Sequence, residues 1–200
     1  MPTAPKRLLT EEEYLAKERI ADFKSEFYQG ETFVMSRANW GHTLIKDNMA
    51  QEAGVALKGT GCQVLTSDLR VKVSPTGLYT YPDIVIVCDK PEFLDAKFDT
   101  LLNPRVIVEV LSESTEGYDR GTKFKLYRSL PSLQEYVLVS QDRPLIERYV
   151  RRETSWDFSD VASLSETFEF AAVAVRVPLS EIYAGVEFPD LALKSETPAG

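Results

Sequence analysis

Two short, almost wholly apolar segments each carry one acidic residue, and this pattern constrains the chain more than any other. Residues 81–88 (YPDIVIVC) and 104–111 (PRVIVEVL) are rich in β-branched residues, which is typical of strands buried on both faces of a sheet. A carboxylate in such a strand is costly unless it is paired or holds a cation. Asp83 and Glu109 lie 26 residues apart. The pattern therefore predicts two neighbouring strands that share one divalent metal ion.

Side-chain alternation along the second strand refines this site. Glu109 and Leu111 share one face of the strand, whereas the side chain of Val110 points to the other. Two acids placed in this way are what a metal-dependent nuclease requires. In such an enzyme Asp83 and Glu109 would each give oxygen ligands to Mg²⁺, and Mn²⁺ would substitute for it. The Val110 carbonyl would add a further ligand, with waters and a phosphate oxygen completing an octahedron. A protein cation is then needed to orient the attacking water or to neutralise developing charge.

Length and composition predict one domain. The chain has 200 residues, 44% of them hydrophobic, and no composition break or repeat divides it. We expect flexible ends at residues 1–8 and 191–200 and a single nuclease-like domain over residues 9–190. No membrane span is expected, because the sequence has no sufficiently long apolar run, and its start lacks the apolar stretch of a signal peptide. A cytoplasmic protein is therefore expected, with Cys62 and Cys88 as reduced, packed thiols.

Charge argues against a general nucleic-acid coat protein, because the net charge is -8. The distribution is uneven, however: residues 118–152 contain eight Lys or Arg and four Asp or Glu. A locally basic face on an acidic body can still meet a phosphate backbone. A solvated helix and hairpin explains the same charges equally well.

Local patterns predict a mixed α/β chain with helices before and after a central set of strands. Helices are expected from a Thr10 cap, from Asn39 to about Lys58, from about Glu116 to Ser129, and over residues 179–183. Strands are expected over residues 25–28, 31–35, 62–73, 81–88, 104–111, 135–140, 145–152, 156–158, 168–170 and 172–177. Residues 89–103 are interpreted as a polar loop.

Several ordered motifs resemble a known family. They are residues 26–30 (EFYQG), 81–83 (YPD), 103–104 (NP), 108–115 (VEVLSEST), 118–124 (YDRGTKF) and 131–138 (PSLQEYVL). In this order they resemble the Uma-two family of putative restriction endonucleases, within the PD-(D/E)xK nuclease superfamily. The resemblance implies a restriction-endonuclease-like core, a central mixed β-sheet flanked by helices, and Mg²⁺-dependent hydrolysis of DNA phosphodiester bonds.

One departure from the superfamily signature concerns the catalytic lysine. The position of that lysine is occupied by Leu111, and the resemblance implies that its role has moved to Lys123 on the next helix. Spacing permits the move, because Asp119, Lys123 and Tyr127 lie on one helical stripe. On spacing alone, an exposed Asp119–Lys123 ion pair of little energetic value is the simpler interpretation.

Other candidate residues have two interpretations each. Glu26 matches the family motif and is either an upstream acidic site residue or an acid on the surface of an edge strand. His42, the single histidine, either contacts phosphate or water or is a partly exposed residue near a helix cap. Tyr127 is either a hydrogen-bond donor near the site or a core tyrosine.

Two other functions stay open at this point. One is a non-catalytic member of the same fold that binds nucleic acid or protein, and the other is a phosphodiesterase acting on RNA or small nucleotides. Cutting both strands of DNA requires two active sites, so a homodimer is a further possibility. The aromatic hairpins near Tyr149 and Trp156 are candidate contact surfaces for it.

Overall fold

The computed structural model describes residues 7–188 and contains five short or medium α-helices and thirteen strands within that range. The helices are α1 (Glu11–Glu18), α2 (Trp40–Ala56), α3 (Glu116–Tyr118), α4 (Phe124–Tyr127) and α5 (Leu179–Ile182), with a π-helical turn, Asp119–Lys123, joining α3 to α4. The strands are β1 (Ser25–Tyr28), β2 (Glu31–Val34), β3 (Gln63–Thr66), β4 (Arg70–Val73), β5 (Leu78–Thr80), β6 (Ile84–Val87), β7 (Thr100–Leu101), β8 (Val106–Val110), β9 (Glu135–Val139), β10 (Ile146–Arg151), β11 (Trp156–Val161), β12 (Thr167–Phe170) and β13 (Val175–Pro178).

A six-stranded mixed sheet forms the centre of the molecule, in the order β11-β10-β9-β8-β6-β3. Strands β8 and β9 pair in parallel, and the other neighbours pair antiparallel. Every residue of β6, β8 and β9 is buried, because both faces of this sheet are covered. The predicted mixed sheet flanked by helices is confirmed.

The two faces of the central sheet have different covers. On one face, the side chains of Ile84 and Val108 pack with α2, α5 and the β12–β13 hairpin. On the other face, Val85 and Ile107 pack with the helical segment that ends in α4 and with strands of a second sheet. Glu109 belongs to this second face, since it alternates with Val108 and Val110 along β8.

The second sheet has five strands in the order β2-β1-β5-β4-β7, and local patterns did not reveal it. Residues 62–73 were predicted as one strand, but a turn at residues 67–69 splits them into β3 and β4, which join different sheets. Strand β5 lies just before Asp83 and joins the second sheet. The predicted loop at residues 89–103 contains β7, which pairs in parallel with β4. The prediction of a plain loop there is wrong.

The helix predicted from about Glu116 to Ser129 is interrupted. Residues 119–123 form a π-helical turn, and the Tyr136 hydroxyl on β9 donates a hydrogen bond of 3.1 Å to the Asp119 carbonyl. A π-turn widens the helix locally and is often found at functional sites. The strand predicted over residues 172–177 also begins later than expected. It is β13, which begins at Val175 because residues 171–174 form the turn after β12.

The prediction of two reduced thiols is also wrong, because Cys62 and Cys88 form a disulfide. Gln63 pairs with Val87 in the antiparallel β3–β6 ladder, so the two cysteines stand opposite each other just beyond it. Cross-strand neighbours bring their side chains close together. None of the helices in residues 7–188 is both long and apolar enough to cross a membrane. The predicted flexible ends lie largely outside the described residues.

Candidate active site

Asp83 and Glu109 lie side by side at the ends of two adjacent strands. Ile84 pairs with Val108 in the antiparallel β6–β8 ladder, so Asp83 and Glu109 occupy the next position on each strand. The Val110 backbone N–H donates a hydrogen bond of 2.8 Å to Asp83 Oδ2. Asp83 precedes β6 and is partly exposed, whereas the Glu109 side chain is buried. The structure therefore brings the two predicted acids together at one end of the sheet.

Lys123 lies at the centre of a group of carboxylates. Its Nζ is 3.0 Å from Glu26 Oε1, 3.0 Å from Glu109 Oε1 and 3.3 Å from Asp119 Oδ1, and only 6% of its side chain is exposed. The predicted stripe of Asp119, Lys123 and Tyr127 faces the sheet, and Lys125 is exposed. The exposed Asp119–Lys123 ion pair considered from spacing alone is wrong, because both residues are buried.

Glu26 reaches this group from the second sheet. Strand β1 lies between β2 and β5, so it is not an edge strand, and Glu26 is buried. The Thr80 hydroxyl on β5 donates a hydrogen bond of 2.6 Å to Glu26 Oε1. The interpretation of Glu26 as a surface acid on an edge strand is therefore wrong.

Two further side chains hold the acids in place. The Tyr127 hydroxyl is fully buried and donates a hydrogen bond of 2.8 Å to Glu109 Oε1, so Tyr127 is both a core residue and a donor to the site. His42 lies in the first turn of α2, and its Nε2 donates a hydrogen bond of 2.9 Å to Asp83 Oδ1. Asp83 thus accepts one hydrogen bond at each oxygen, which fixes the orientation of its carboxylate.

The electrostatics of the group follow from burial and from the excess of acids. Burial raises the pKa of Glu109, and the charges of Asp119 and Asp83 add to the effect while Lys123 opposes it. Burial alone would lower the pKa of Lys123. The nearby charges of Glu109, Glu26 and Asp119 outweigh burial and hold the Lys123 pKa well above its ordinary value. Lys123 is therefore an ammonium donor at neutral pH and not a base.

The donor set suits a Mg²⁺ ion in type and charge. Three carboxylates (Glu26, Glu109 and Asp119) contact the Lys123 ammonium and Asp83 lies beside Glu109, which leaves negative charge that a cation would compensate. Within residues 7–188, no three His, Cys, Asp or Glu side chains gather at metal-ligand spacing. Mg²⁺ commonly takes only one or two carboxylates and keeps several waters, so Asp83 and Glu109 suffice. The Val110 carbonyl as a further ligand stays a prediction.

Some members of this group were not among the candidate site residues. Asp119 had been considered only as a helical partner of Lys123, and Thr80 had not been considered. Thr80 left no local signal in the sequence. It is brought to Glu26 by the pairing of β1 with β5 at Phe27 and Tyr79, which are 52 residues apart. The spacing of Asp119 from Lys123 was the only local signal available.

A family model named Uma2 and described as "Putative restriction endonuclease" matches residues 11–177. The chain belongs to the Uma2 family. The resemblance derived from the ordered motifs is thus confirmed. The match spans both sheets and the acid–lysine group, which consists of Glu26, Asp83, Glu109, Asp119 and Lys123.

Relatives and a solved structure agree with this family membership. The uncharacterized protein sll1609 of Synechocystis sp. is 31% identical over 176 residues, covering 88% of this chain and 99% of the relative. The uncharacterized protein slr1290 of the same organism is 34% identical over 188 residues, covering 94% and 97%. A crystal structure of a putative nuclease belonging to DUF820 from Anabaena variabilis has a TM-score of 0.69 at 13% identity, covering 88% of this chain and 98% of the other. At that identity the likeness shows the fold alone.

Proposed function

We propose that this chain is a Mg²⁺-dependent nuclease that hydrolyses phosphodiester bonds of DNA. The observation that carries the proposal is the convergence of Asp83, Glu109, Glu26 and Lys123 from four separate elements at one end of the central sheet. Maintaining several acids and one lysine there costs stability, because buried charges lose their hydration. Family membership and the fold support the same reaction class.

The residues divide the chemical work between them. Asp83 and Glu109 would hold the metal ion, which would polarise the scissile phosphate and lower the pKa of a bound water. The Lys123 ammonium stabilises negative charge that develops on the phosphate and orients the attacking water. Glu26 and Asp119 keep Lys123 charged and in position.

Supporting contacts preorganise the acids before substrate arrives. His42 and the Val110 N–H fix the carboxylate of Asp83, while Tyr127 fixes that of Glu109. Held donors and charges need little reorganisation during the reaction, which is the main source of electrostatic catalysis.

A cleavage assay on supercoiled plasmid tests this function. With Mg²⁺ or Mn²⁺ the protein should nick or linearise the plasmid, and excess EDTA should stop it. Asp83→Asn keeps the shape of the side chain but removes its charge, and it should lose at least 100-fold in rate, the order expected for an essential catalytic group (about 10²–10⁴-fold).

Cleavage that persists in EDTA, or an Asp83→Asn protein that cuts at the wild-type rate, would contradict the proposal. A matched control is Asp89→Asn, since Asp89 is an exposed acid just beyond the far end of the same strand. This control should cut like the wild type.

Assembly and location are part of the same proposal. A homodimer would supply the second active site for cutting both strands of a duplex. The predicted contact surfaces need correction, because Tyr149 and Trp156 are half-buried against Phe124 and Phe158 is the exposed aromatic of that hairpin. Sedimentation at micromolar concentration tests the dimer. A cytoplasmic location is likewise proposed, and the Cys62–Cys88 disulfide counts against it, because cytosolic thiols are kept reduced. If the protein is trapped with a thiol-blocking reagent at cell lysis, two blocked cysteines would support this location and an intact disulfide would contradict it.

A further inference from the structure

An open polar cleft is formed by residues that adjoin, along the chain, segments of the candidate active site. Its volume is about 650 Å³, within the range of small-ligand sites. It is lined by Asn39, Ser112, Glu113, Ser114, Gln141 and Asp142. Asn39 caps the helix that carries His42, and Ser112 is the third residue after Glu109. The cleft is therefore continuous along the chain with two of the segments that form the site.

The lining of this cleft does not suit phosphate. It consists of amides, hydroxyls and carboxylates, and none of the lining residues is Lys or Arg. Such groups are hydrogen-bond donors and acceptors for the edges of nucleobases, as in proteins that recognise unpaired bases. Carboxylates, in addition, repel a phosphate backbone.

Three exposed aromatic side chains lie on segments that carry residues of the site or of the cleft. Trp40 directly follows Asn39 and is 75% exposed. Phe33 is 51% exposed and is the cross-strand partner of Glu26, so both side chains lie on one face of the sheet. Tyr118 is 36% exposed, and the Lys123 Nζ is 5.8 Å from the centre of its ring. Each of the three belongs to a different element.

The charge of the molecule opposes tight binding of duplex DNA through its backbone. The net charge is -8, and duplex affinity depends on many Lys or Arg contacts with phosphates. The two cations of the π-helical turn are already paired: Lys123 contacts three carboxylates, and Arg120 contacts Glu116 and Glu147. Stacking on aromatic rings is a contribution to affinity that unpaired bases can make and paired bases cannot.

We infer that the substrate of this site is single-stranded DNA, with an unpaired base in the polar cleft and neighbouring bases stacked on Trp40, Phe33 and Tyr118. The inference rests on the proposed function and narrows its substrate class. In a duplex the Watson–Crick edges and the faces of the bases are occupied by pairing and stacking, so they are not available to the cleft or to the aromatic rings. One copy of the chain is enough to cut a single strand.

Tryptophan fluorescence tests binding independently of cleavage. The chain has two tryptophans, so a Trp156→Phe protein reports on Trp40 alone. In EDTA, a dT oligonucleotide of about ten nucleotides should quench this signal with saturation. A blunt hairpin duplex of the same charge should bind at least 10-fold more weakly.

Replacing one of the exposed aromatic residues separates base stacking from non-specific attraction between the protein and the oligonucleotide. Phe33→Ala should weaken oligonucleotide binding by about 5- to 150-fold, the range for loss of one stacked base. Phe158→Ala is the matched control, because Phe158 is 54% exposed on β11, three strands away from β8 in the sheet order. It should bind like the parent protein.

The outcomes distinguish this inference from the proposed function. Suppose that the protein shows saturable quenching that Phe33→Ala weakens and yet cuts no DNA with Mg²⁺. That result would support the proposed binding site and contradict the proposed nuclease activity. Preferential cutting of duplex, equal binding of duplex and single strand, or tighter binding of an RNA oligonucleotide would overturn the inference of single-stranded DNA and leave the nuclease intact.

Discussion

Neighbouring strands of the central sheet each carry one buried glutamate, and the two have different surroundings. Glu109 on β8 and Glu135 on β9 are both buried, and burial raises the pKa of each, that of Glu135 to about 7. Glu109 contacts Lys123 and Tyr127 on the face that carries the acid–lysine group. Glu135 instead accepts a hydrogen bond of 2.8 Å from the backbone N–H of Ala172, in the turn between β12 and β13.

Burial and a raised pKa therefore do not by themselves mark a catalytic acid. Glu135 accepts a main-chain hydrogen bond at Oε2, which ties the β12–β13 hairpin to the central sheet, while its buried Oε1 has no hydrogen-bond partner among the described residues. Glu109 lies among more acids than cations, and a metal ion would compensate the excess negative charge. The surrounding charges, and not the depth of burial, distinguish the candidate catalytic acid from the structural one.

The largest expected effect comes from removing the cation beside Glu109. Lys123→Met preserves the apolar stem but removes the ammonium, so the single-turnover cleavage rate should fall by about 10²-fold or more. Metal affinity should persist, because Asp83 and Glu109 remain. Lys125→Met is the matched control two residues away on the exposed side, and it should change the rate little.

Stability must be measured alongside this rate. Loss of Lys123 leaves three carboxylates without their cation, and breaking a buried ion pair costs about 3–5 kcal/mol. Thermal melts should show whether Lys123→Met is folded at the assay temperature. A folded Lys123→Met protein with the wild-type rate, or a Lys125→Met protein with the larger rate loss, would overturn the role assigned to Lys123.

A smaller effect, on stability alone, is expected at Glu135. Its folded-state pKa is about 7 and its ordinary value is 4.5, so the folded protein binds this proton more tightly than the unfolded chain. The stability gained from that proton is full below pH 4.5 and is lost as the pH rises to about 7. Glu135→Gln should remove about 1–3 kcal/mol of this pH dependence.

Urea unfolding between pH 4 and pH 8 measures the effect, and DNA cleavage should stay within a few-fold of wild type. If Glu135→Gln abolished cleavage without unfolding the protein, the contrast between the two glutamates would fail. An unchanged pH profile of stability would show that Glu135 is not the group that titrates.

Local sequence patterns predicted the parts of the site that lie on regular elements. Asp83 and Glu109 were found because acids stand out in apolar strands, and the central mixed sheet followed from the same segments. Helical spacing put Asp119, Lys123 and Tyr127 on one stripe but favoured an exposed ion pair, and the site role of Lys123 came from the family motifs. These inferences need only neighbours within one turn or one strand.

The remaining features depend on contacts between distant segments. The hydrogen bond from His42 to Asp83 joins residues 41 positions apart, and that from Thr80 to Glu26 spans 54. The second sheet, with the two-residue strand β7, is specified by pairing partners and not by periodicity. The Cys62–Cys88 disulfide was missed for the same reason, since it requires the β3–β6 pairing.

Titration calorimetry with Mn²⁺ tests the central claim most directly, because it asks which buried glutamate belongs to a metal site. The wild type and Glu135→Gln should bind Mn²⁺ with the same affinity, and Glu109→Gln should lose binding by at least 10-fold. Undiminished binding in Glu109→Gln, or an equal loss in Glu135→Gln, would contradict the assignment of Asp83 and Glu109 as the metal-binding acids.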